Sequence, residues 1–369
     1  MNTKRILIVT KFFHPDITPR AFRAFELAKE FSRQGHIVTV LTTYKDFNYC
    51  QIETDYDLKI KATVNNEPKQ LIGGGVKKIV RFILKHYFLY PSILLSKHFK
   101  NALKNENGYD VLISIAYPFP VHFGVARALN KNKSLTKIWI ADCGDPFTGG
   151  KETRFKTPFY YKIIEKNFCK RPDFITIPIK EAKSAYPNLC QHKLKVIPQG
   201  FDFNSIYPNY APEENKIITF AYAGTLSIGA RDPRSFINYI KSLDIDFKFI
   251  LYTDNKSFLF ALKEELEGKL ELRDYVPREI LLKELGKMDF LLNLENNTSI
   301  HSPSKLIDYA LLQRPILSIK SFDLDKKIID EFMLGKYKNA LKIDNIEDYN
   351  ITNVTKSFLE LANNLHCEQ

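Results

Sequence analysis

What this sequence of 369 residues has little of already narrows the field. Its five cysteines, Cys50, Cys143, Cys169, Cys190 and Cys367, are scattered and form no Cys-x-x-Cys pair. An odd, dispersed set argues against a disulfide framework and a structural zinc, and for a reducing compartment, with the cytoplasm as the expectation. The eight histidines show no metal-ligand spacing, so no metal is expected. No apolar run is long enough to span a membrane as a helix. The first ten residues are too short and too β-branched for a signal peptide and read as a strand. Gly-x-Gly-x-x-Gly, Walker and Gly-x-Ser-x-Gly sequences are missing, which removes the usual dinucleotide, P-loop and α/β-hydrolase readings. Acid is missing from one long stretch. Residues 71–105 carry Lys77, Lys78, Arg81, Lys85, Lys97, Lys100 and Lys104, and no Asp or Glu.

What is present is a globular composition, 44% hydrophobic and 26% charged, on a chain long enough for two cores. The net charge of +12 implies an anionic partner: a nucleotide, a lipid surface or a nucleic acid. Short continuous apolar runs alternate with helical spacing. Ile6–Val9 reads as a strand buried on both faces, followed by a loop over Lys11–Arg20. Ala21, Ala24, Phe25, Ala28 and Phe31 then recur at helical spacing, Gly35 stands where a C′ glycine ends a helix, and Ile37–Leu41 is the next strand. That βαβ opening predicts a parallel sheet. Further strands are expected at Asp110–Ile115, Lys137–Ala141, from Phe174 and from Lys195. The cycle restarts with Ile217–Tyr222, Phe247–Tyr252, Leu270–Leu272, Phe290–Leu294 and Pro315–Ile319. The two halves show no sequence repeat. The last twenty residues put Val354, Phe358, Leu361 and Leu365 on one helical stripe.

Several stretches carry polar residues where ligands bind in such sheets. Gly224–Asp232 joins a strand to a helix. Small residues there let N–H groups approach an anion, with Gly224 and Thr225 at the strand end and Arg231 able to fork onto a phosphate. The alternative is a plain loop with Asp232 as N-cap and Pro233 at N1. Ser302 or Ser304 can cap the next helix, whose first turn holds Lys305, Leu306 and Asp308. A lysine there opposes the helix dipole, which a bound pyrophosphate would explain, with Asp308 accepting from ribose hydroxyls. The alternative is a surface ion pair between Lys305 and Asp308, three residues apart. Asp142 and Asp145 follow a strand, as sugar ligand or base, or for Asp145 as a turn before Pro146. His14 beside Pro15 and Glu295 at a strand end are further candidates. Gly73–Gly75 follows no strand and reads as a hinge.

Between Val76 and Tyr87, apolar residues at 76, 79, 80, 83, 84 and 87 make one stripe, with Lys77, Lys78, Arg81 and Lys85 opposite. Such a helix either faces a core or lies on an anionic membrane. The region alternates basic with apolar residues and shows no nucleic-acid reading motif, so no nucleic acid is expected.

Together these stretches resemble glycosyltransferase family 4, retaining enzymes of the GT-B fold. Phe13-His-Pro15, Arg20, Arg23, Glu26 and Gly35–Thr42 resemble its opening unit. Trp139–Phe147 is similar to an Asp-x-Arg-Asp-Pro-Trp segment, and Val196–Asp202 to Ile-Pro-Asn-Gly-x-Asp. Ala223–Thr225 with Arg231–Pro233 resembles the donor loop, and Pro303–Tyr309 the Pro-x-Lys-Leu-x-Glu-Tyr signature. The chain departs from the family at Ile300 and Asp308, where two glutamates are usual, at Gly144 in place of Arg, and at Ile17-Thr18-Pro19 in place of glycines. The resemblance implies an α/β chain of two Rossmann-like domains facing across a cleft. Residues 1–205, with a C-terminal helix 350–369 packing back on them, would hold the acceptor, with His14 and Asp145 on that side. Residues 206–349 would hold the nucleotide-sugar donor through Gly224, Thr225, Glu295, Ser302, Ser304, Leu306 and Asp308. Arg231 and Lys305 would stabilise the departing diphosphate without a metal or other cofactor, and Asp142 would position. A glycan acceptor, lipid-linked at the inner face of an anionic membrane, would place the enzyme in cell-surface polysaccharide synthesis. A non-catalytic scaffold of this fold and a sugar-nucleotide epimerase are the rival readings.

Overall fold

The computed structural model describes residues 2–44, 46–63, 76–148, 158–203, 215–229, 231–295 and 305–364. The chain forms two compact units, Met1–Phe201 with Asn350–Gln369, and Asp202–Tyr349.

The first unit opens with β1 (Arg5–Thr10), α1 (Pro19–Arg33), β2 (Ile37–Thr42), α2 (Cys50–Tyr56) and β3 (Leu58–Ala62). It continues with α3 (Val76–Phe88), α4 (Leu94–Ala102), β4 (Tyr109–Ala116), α5 (Pro120–Leu129) and β5 (Thr136–Cys143). Then come α6 (Phe159–Cys169), β6 (Phe174–Ile177) and β7 (Leu194–Val196). The strands form one parallel sheet ordered β3-β2-β1-β4-β5-β6-β7. Ile6, Leu7, Ile8 and Val9 are fully buried, as a continuous apolar run in a sheet covered on both faces must be. α1 starts on the Thr18 hydroxyl, which accepts from the Ala21 N–H at 3.4 Å, and carries Pro19 in its first turn. It ends before Gly35, whose φ of +83° suits glycine. α2 and β3 fall in a stretch to which the sequence reading assigned no element. β3 is a sheet-edge strand of alternating Leu, Lys and Ile, without the unbroken apolar run that marks the inner strands.

The second unit holds β8 (Ile218–Ala223), α7 (Arg234–Lys241), β9 (Phe247–Tyr252), α8 (Phe260–Glu265) and β10 (Leu270–Arg273). It goes on with α9 (Arg278–Leu285), β11 (Phe290–Leu294), α10 (Lys305–Leu311), β12 (Ile316–Ile319) and α11 (Lys326–Met333). Its parallel order is β10-β9-β8-β11-β12. One face packs against α7 and α11 through Phe236, Ile240, Ile329 and Phe332, the other against α9 and α10 through Leu282, Leu285, Leu306 and Tyr309.

α12 (Ile351–Asn364) belongs to the first unit. Ile351, Val354 and Phe358 join the cluster built by Ile6, Leu27 and Phe31, and the Gln34 amide donates to Thr355. Leu365 and Gly73–Gly75 lie outside the described residues.

In each sheet the winding direction reverses beside the first strand, between β1 and β4 and again between β8 and β11. The crevice at the carboxyl ends of those strands is where such sheets bind ligands. Gly224 and Glu295 stand directly after β8 and β11.

Candidate active site

The second unit holds the sharper constellation. Lys305, the first residue of α10, has its ammonium buried with no hydrogen-bond partner among the described residues. It lies 3.9 Å from the ring centre of Tyr222, a fully buried residue of β8. A ring face compensates only part of an ammonium's lost hydration. Burial, helped by the charge of Arg231, pushes Lys305 down to about 7. Burial pushes the Tyr222 hydroxyl up to about 12, with Arg231 opposing. Two cations therefore converge on one tyrosine. α10 is tied to that strand end because the Ala223 N–H donates to the Tyr309 hydroxyl at 2.9 Å.

The loop after β8 is shaped by local constraints. Gly224 has φ +144°, and a Cβ there would sit 3.3 Å from the Tyr222 hydroxyl, so the position needs glycine. The Gly224 N–H does not face an anion, since it donates to Tyr252 O at 3.0 Å. Thr225 is exposed, and its carbonyl accepts from the Tyr222 hydroxyl at 3.2 Å. Ser227 and Arg231 bridge back on each other through the Ser227 N–H and Arg231 O. The helix starts one residue later than Asp232-Pro233 suggests, with Pro233 at the N-cap. Asp232 is buried and takes the Arg234 guanidinium at 2.6 Å.

The ion pair of Lys305 with Asp308, the alternative reading of this turn, is not formed among the described residues. Asp308 instead takes Arg278, the first residue of α9, at 2.5 Å. Burial raises its pKa against the pull of that arginine. A partner thirty residues away is invisible to local spacing. Leu306 is a core residue, nine-tenths buried on the face toward α9. Glu295 is fixed at the end of β11 by the Ser318 hydroxyl, donating at 3.0 Å, and its other carboxylate oxygen has no partner among the described residues. Ser302 and Ser304 lie outside the described residues.

In the first unit, Asp142 is buried and fully engaged. Arg23 donates to both its oxygens at 2.8 and 3.1 Å, Thr176 at 2.7 Å, and Arg20 stands 3.5 Å away. Arg23 holds the carboxyl below its usual range against the opposing effect of burial. With both its oxygens taken, Asp142 holds those arginines in place. At Gly144 a Cβ would lie 2.6 Å from the Arg20 guanidinium carbon, the movable end of a side chain that α1 brings to this turn. His14 is half-buried between the rings of Phe25 and Phe47, and burial lowers its pKa. Its carbonyl accepts from Tyr49 at 2.8 Å. Asp145 lines a cavity of about 390 Å³ with Lys85, Tyr117, Phe119 and Phe147. Among the described residues no cluster of three His, Cys, Asp or Glu side chains is placed to hold a metal.

No family model matches the sequence, and no curated protein is similar to it in sequence. Solved structures are similar over the whole chain. A glycosyltransferase from Rickettsia africae ESF-5 aligns with a TM-score of 0.64 at 12% identity, over 99% of each chain. A lipopolysaccharide outer core galactosyltransferase gives 0.57 at 10%, covering 97% of this chain and 98% of its own. UDP-N-acetylglucosamine 2-epimerase from Rickettsia bellii gives 0.51 at 11%, over 98% of this chain and 96% of its own.

The fold is GT-B.

Identities this low carry the fold and not the activity. On a GT-B frame, Lys305, Arg231, Gly224 and Glu295 belong to the crevice end of the second sheet. Tyr222, Arg278 and Arg20 are the polar partners that sequence reading did not place in the site. Tyr222 sits inside an apolar strand run, and the two arginines sit on helices far away in sequence.

Proposed function

We propose that the protein is a glycosyltransferase that takes its sugar from a nucleoside diphosphate donor bound by the second unit. The observation that carries this reading is the buried, unpartnered Lys305 ammonium beside Arg231. Two cations held close together, with no carboxylate paired to either among the described residues, are costly unless a ligand completes the site. A diphosphate fits, and its charge grows as the sugar leaves. Arg231 and Lys305 then do the work of a metal, and Glu295 offers its open carboxylate oxygen to donor hydroxyls. Asp308, fixed by Arg278, is placed to accept from the ribose. We assign the reaction to the retaining type that family 4 resemblance implies. The bond from the anomeric carbon to the diphosphate oxygen breaks, the acceptor oxygen bonds to that carbon on the same face, and its proton passes to the diphosphate. The acceptor is held by the first unit, with His14 and Asp145 as its polar ligands and Asp142 positioning Arg20 and Arg23.

We place the acceptor on a lipid at the anionic inner face of a membrane, within cell-surface polysaccharide synthesis. No helix among the described residues is long and apolar enough to cross a membrane. α3, however, leaves Ile79 and Phe88 at least 60% exposed and Val80, Phe82, Ile83 and Tyr87 more than two-fifths exposed, in an acid-free stretch. An exposed apolar stripe flanked by cations suits an anionic interface.

The test is incubation of the whole protein with radiolabelled nucleotide sugars and membrane lipid extract. Label moving to lipid supports transfer. Label returned as an epimeric nucleotide sugar would support the second reading, which the likeness to the 2-epimerase keeps open. Intact donor in every case would leave a non-catalytic scaffold. Lys305→Ala and Arg231→Ala should each lower turnover by on the order of a hundredfold while folding normally. Screening UDP, GDP, ADP and CMP for thermal stabilisation identifies the base, since a ligand at a hundred times its Kd adds about 2.7 kcal/mol.

A further inference from the structure

Two cavities of the first unit adjoin, and their linings differ. The larger, about 550 Å³, lies among α5, α6 and the end of α3. Phe123, Ala126, Ile164 and Phe168 form its walls, no carboxylate lines it, and Arg127 and Arg171 stand exposed at its edge. The smaller, about 390 Å³, holds Asp145, Lys85 and an aromatic wall. Leu89 and Tyr161 line both, so the two spaces meet there. The junction is built with care. Tyr161 donates to His86 O at 2.8 Å and Tyr160 to Tyr87 O, fastening the end of α3 to α6. Leu89 takes φ +55°, which a branched side chain seldom adopts and which is tolerated where the surroundings require it. Lys85 has no carboxylate partner among the described residues.

We infer that the acceptor is a phosphate-bearing amphiphile whose hydrocarbon chain lies in the larger cavity and whose sugar-phosphate head lies in the smaller one. The inference rests on the proposed glycosyl transfer and names its acceptor. A cleft of a few hundred Å³ whose surface is mainly apolar, with Arg127, Asn130, Asn167 and Arg171 as its polar lining, is ligand-sized. The occupant is fixed by charge. Lys85 at the head cavity and Arg127 and Arg171 at the chain cavity offer cations, and Asp145 is the one carboxylate among the described residues that line either cavity. Phosphate at Lys85 and sugar at Asp145 in the smaller cavity, with the chain beyond Leu89 in the larger, is the arrangement these linings suit. A chain entering there comes past the exposed apolar side of α3, where a membrane would present it.

The test uses the full-length protein and alkyl phosphates below their micellar concentration. Trp139 is the single tryptophan, and its ring lies 6.4 Å from that of Phe168, a wall of the chain cavity. Its emission reports occupancy, and titration calorimetry gives the constant independently. Octyl and dodecyl phosphate should bind saturably, tightening roughly tenfold for every two methylenes added. Dodecanol should bind more weakly than dodecyl phosphate, and inorganic phosphate more weakly still. Ala126→Phe, which fills the chain cavity, should weaken dodecyl phosphate at least as much as removing two methylenes does. Lys85→Ala should erase the advantage of dodecyl phosphate over dodecanol. Both variants must melt as wild type does. No saturable binding, or equal constants in wild type and Ala126→Phe, overturns the inference. If a nucleoside diphosphate still binds with dependence on Lys305 in that case, transfer stands and the acceptor is a soluble molecule.

Discussion

Lys305 is the residue whose chemistry is most sharply defined. Its ammonium is pushed down to about 7, against 10.5 for a free lysine. Below pH 7 it is charged in the folded and the unfolded chain, and the full cost of burying it weighs on the fold. Between pH 7 and about 10.5 the unfolded chain binds more protons, so this group's contribution to stability rises with pH. A bound diphosphate supplies the missing anion and raises the pKa. Binding should therefore take up a proton near pH 7–8, and diphosphate affinity should fall as pH climbs through that range. Calorimetry in two buffers of different ionisation heat measures the uptake, and zero uptake at pH 7.5 would remove Lys305 from the phosphate site. Lys305→Arg, charged throughout, should flatten the profile. Lys305→Met should lose diphosphate binding while stabilising the ligand-free protein by roughly 1–3 kcal/mol at pH 6, because an uncompensated buried charge is gone. Denaturant unfolding reads this directly, and a loss of stability would mark Lys305 as structural.

Among the elements, α12 is the one whose removal should reach furthest. It lies at the end of the chain but packs in the first unit, where Phe358 is fully buried, 6.4 Å from the ring of Phe31 and 5.4 Å from the Arg23 guanidinium. Phe358→Ala should cost about 3–5 kcal/mol by leaving a cavity in that core. Arg23 also holds Asp142, so hydrogen exchange at the end of β5 should quicken in the same variant. A change under 1 kcal/mol, or exchange confined to α12, would contradict this coupling. The helical stripe of Val354 and Phe358 was legible from spacing alone. β3 was not, since an edge strand of alternating Leu, Lys and Ile looks like a loop when its one paired neighbour is unknown.

For the whole molecule, the net charge of +12 and its concentration on residues 71–105 predict salt-sensitive attraction to anionic surfaces. Each cation near such a surface contributes about 1 kcal/mol. Wild type should sediment with vesicles containing anionic lipid, less so as salt shortens the Debye length, and not with neutral vesicles. Replacing Lys77, Lys78, Arg81 and Lys85 with glutamate should abolish sedimentation and leave nucleotide binding unchanged. Equal sedimentation of that variant would place the contact elsewhere. The sequence left α3 open between a core-facing and a membrane-facing helix, because an apolar stripe looks the same in both. The structure leaves Ile79, Val80, Ile83 and Tyr87 of that stripe exposed.

Local chemistry in the sequence was enough for the two parallel sheets. An unbroken apolar run such as Ile6–Val9, or the nearly unbroken Phe290–Leu294, suits a short strand covered on both faces, and helical spacing between such runs leaves a parallel winding. It was also enough to mark Lys305 as anomalous, since a first-turn lysine opposes the helix dipole. Which charge meets which was decided only by tertiary structure. Asp308 pairs with Arg278 rather than with Lys305, and Asp142 is taken by Arg23, 119 residues away. Spacing along one helix says who could meet on its surface. It carries no record of the side chains that sheet order brings from other elements, and burial then favours the partner that best replaces lost water. Lys305 is left over from that sorting, and this is why it reads as a binding residue.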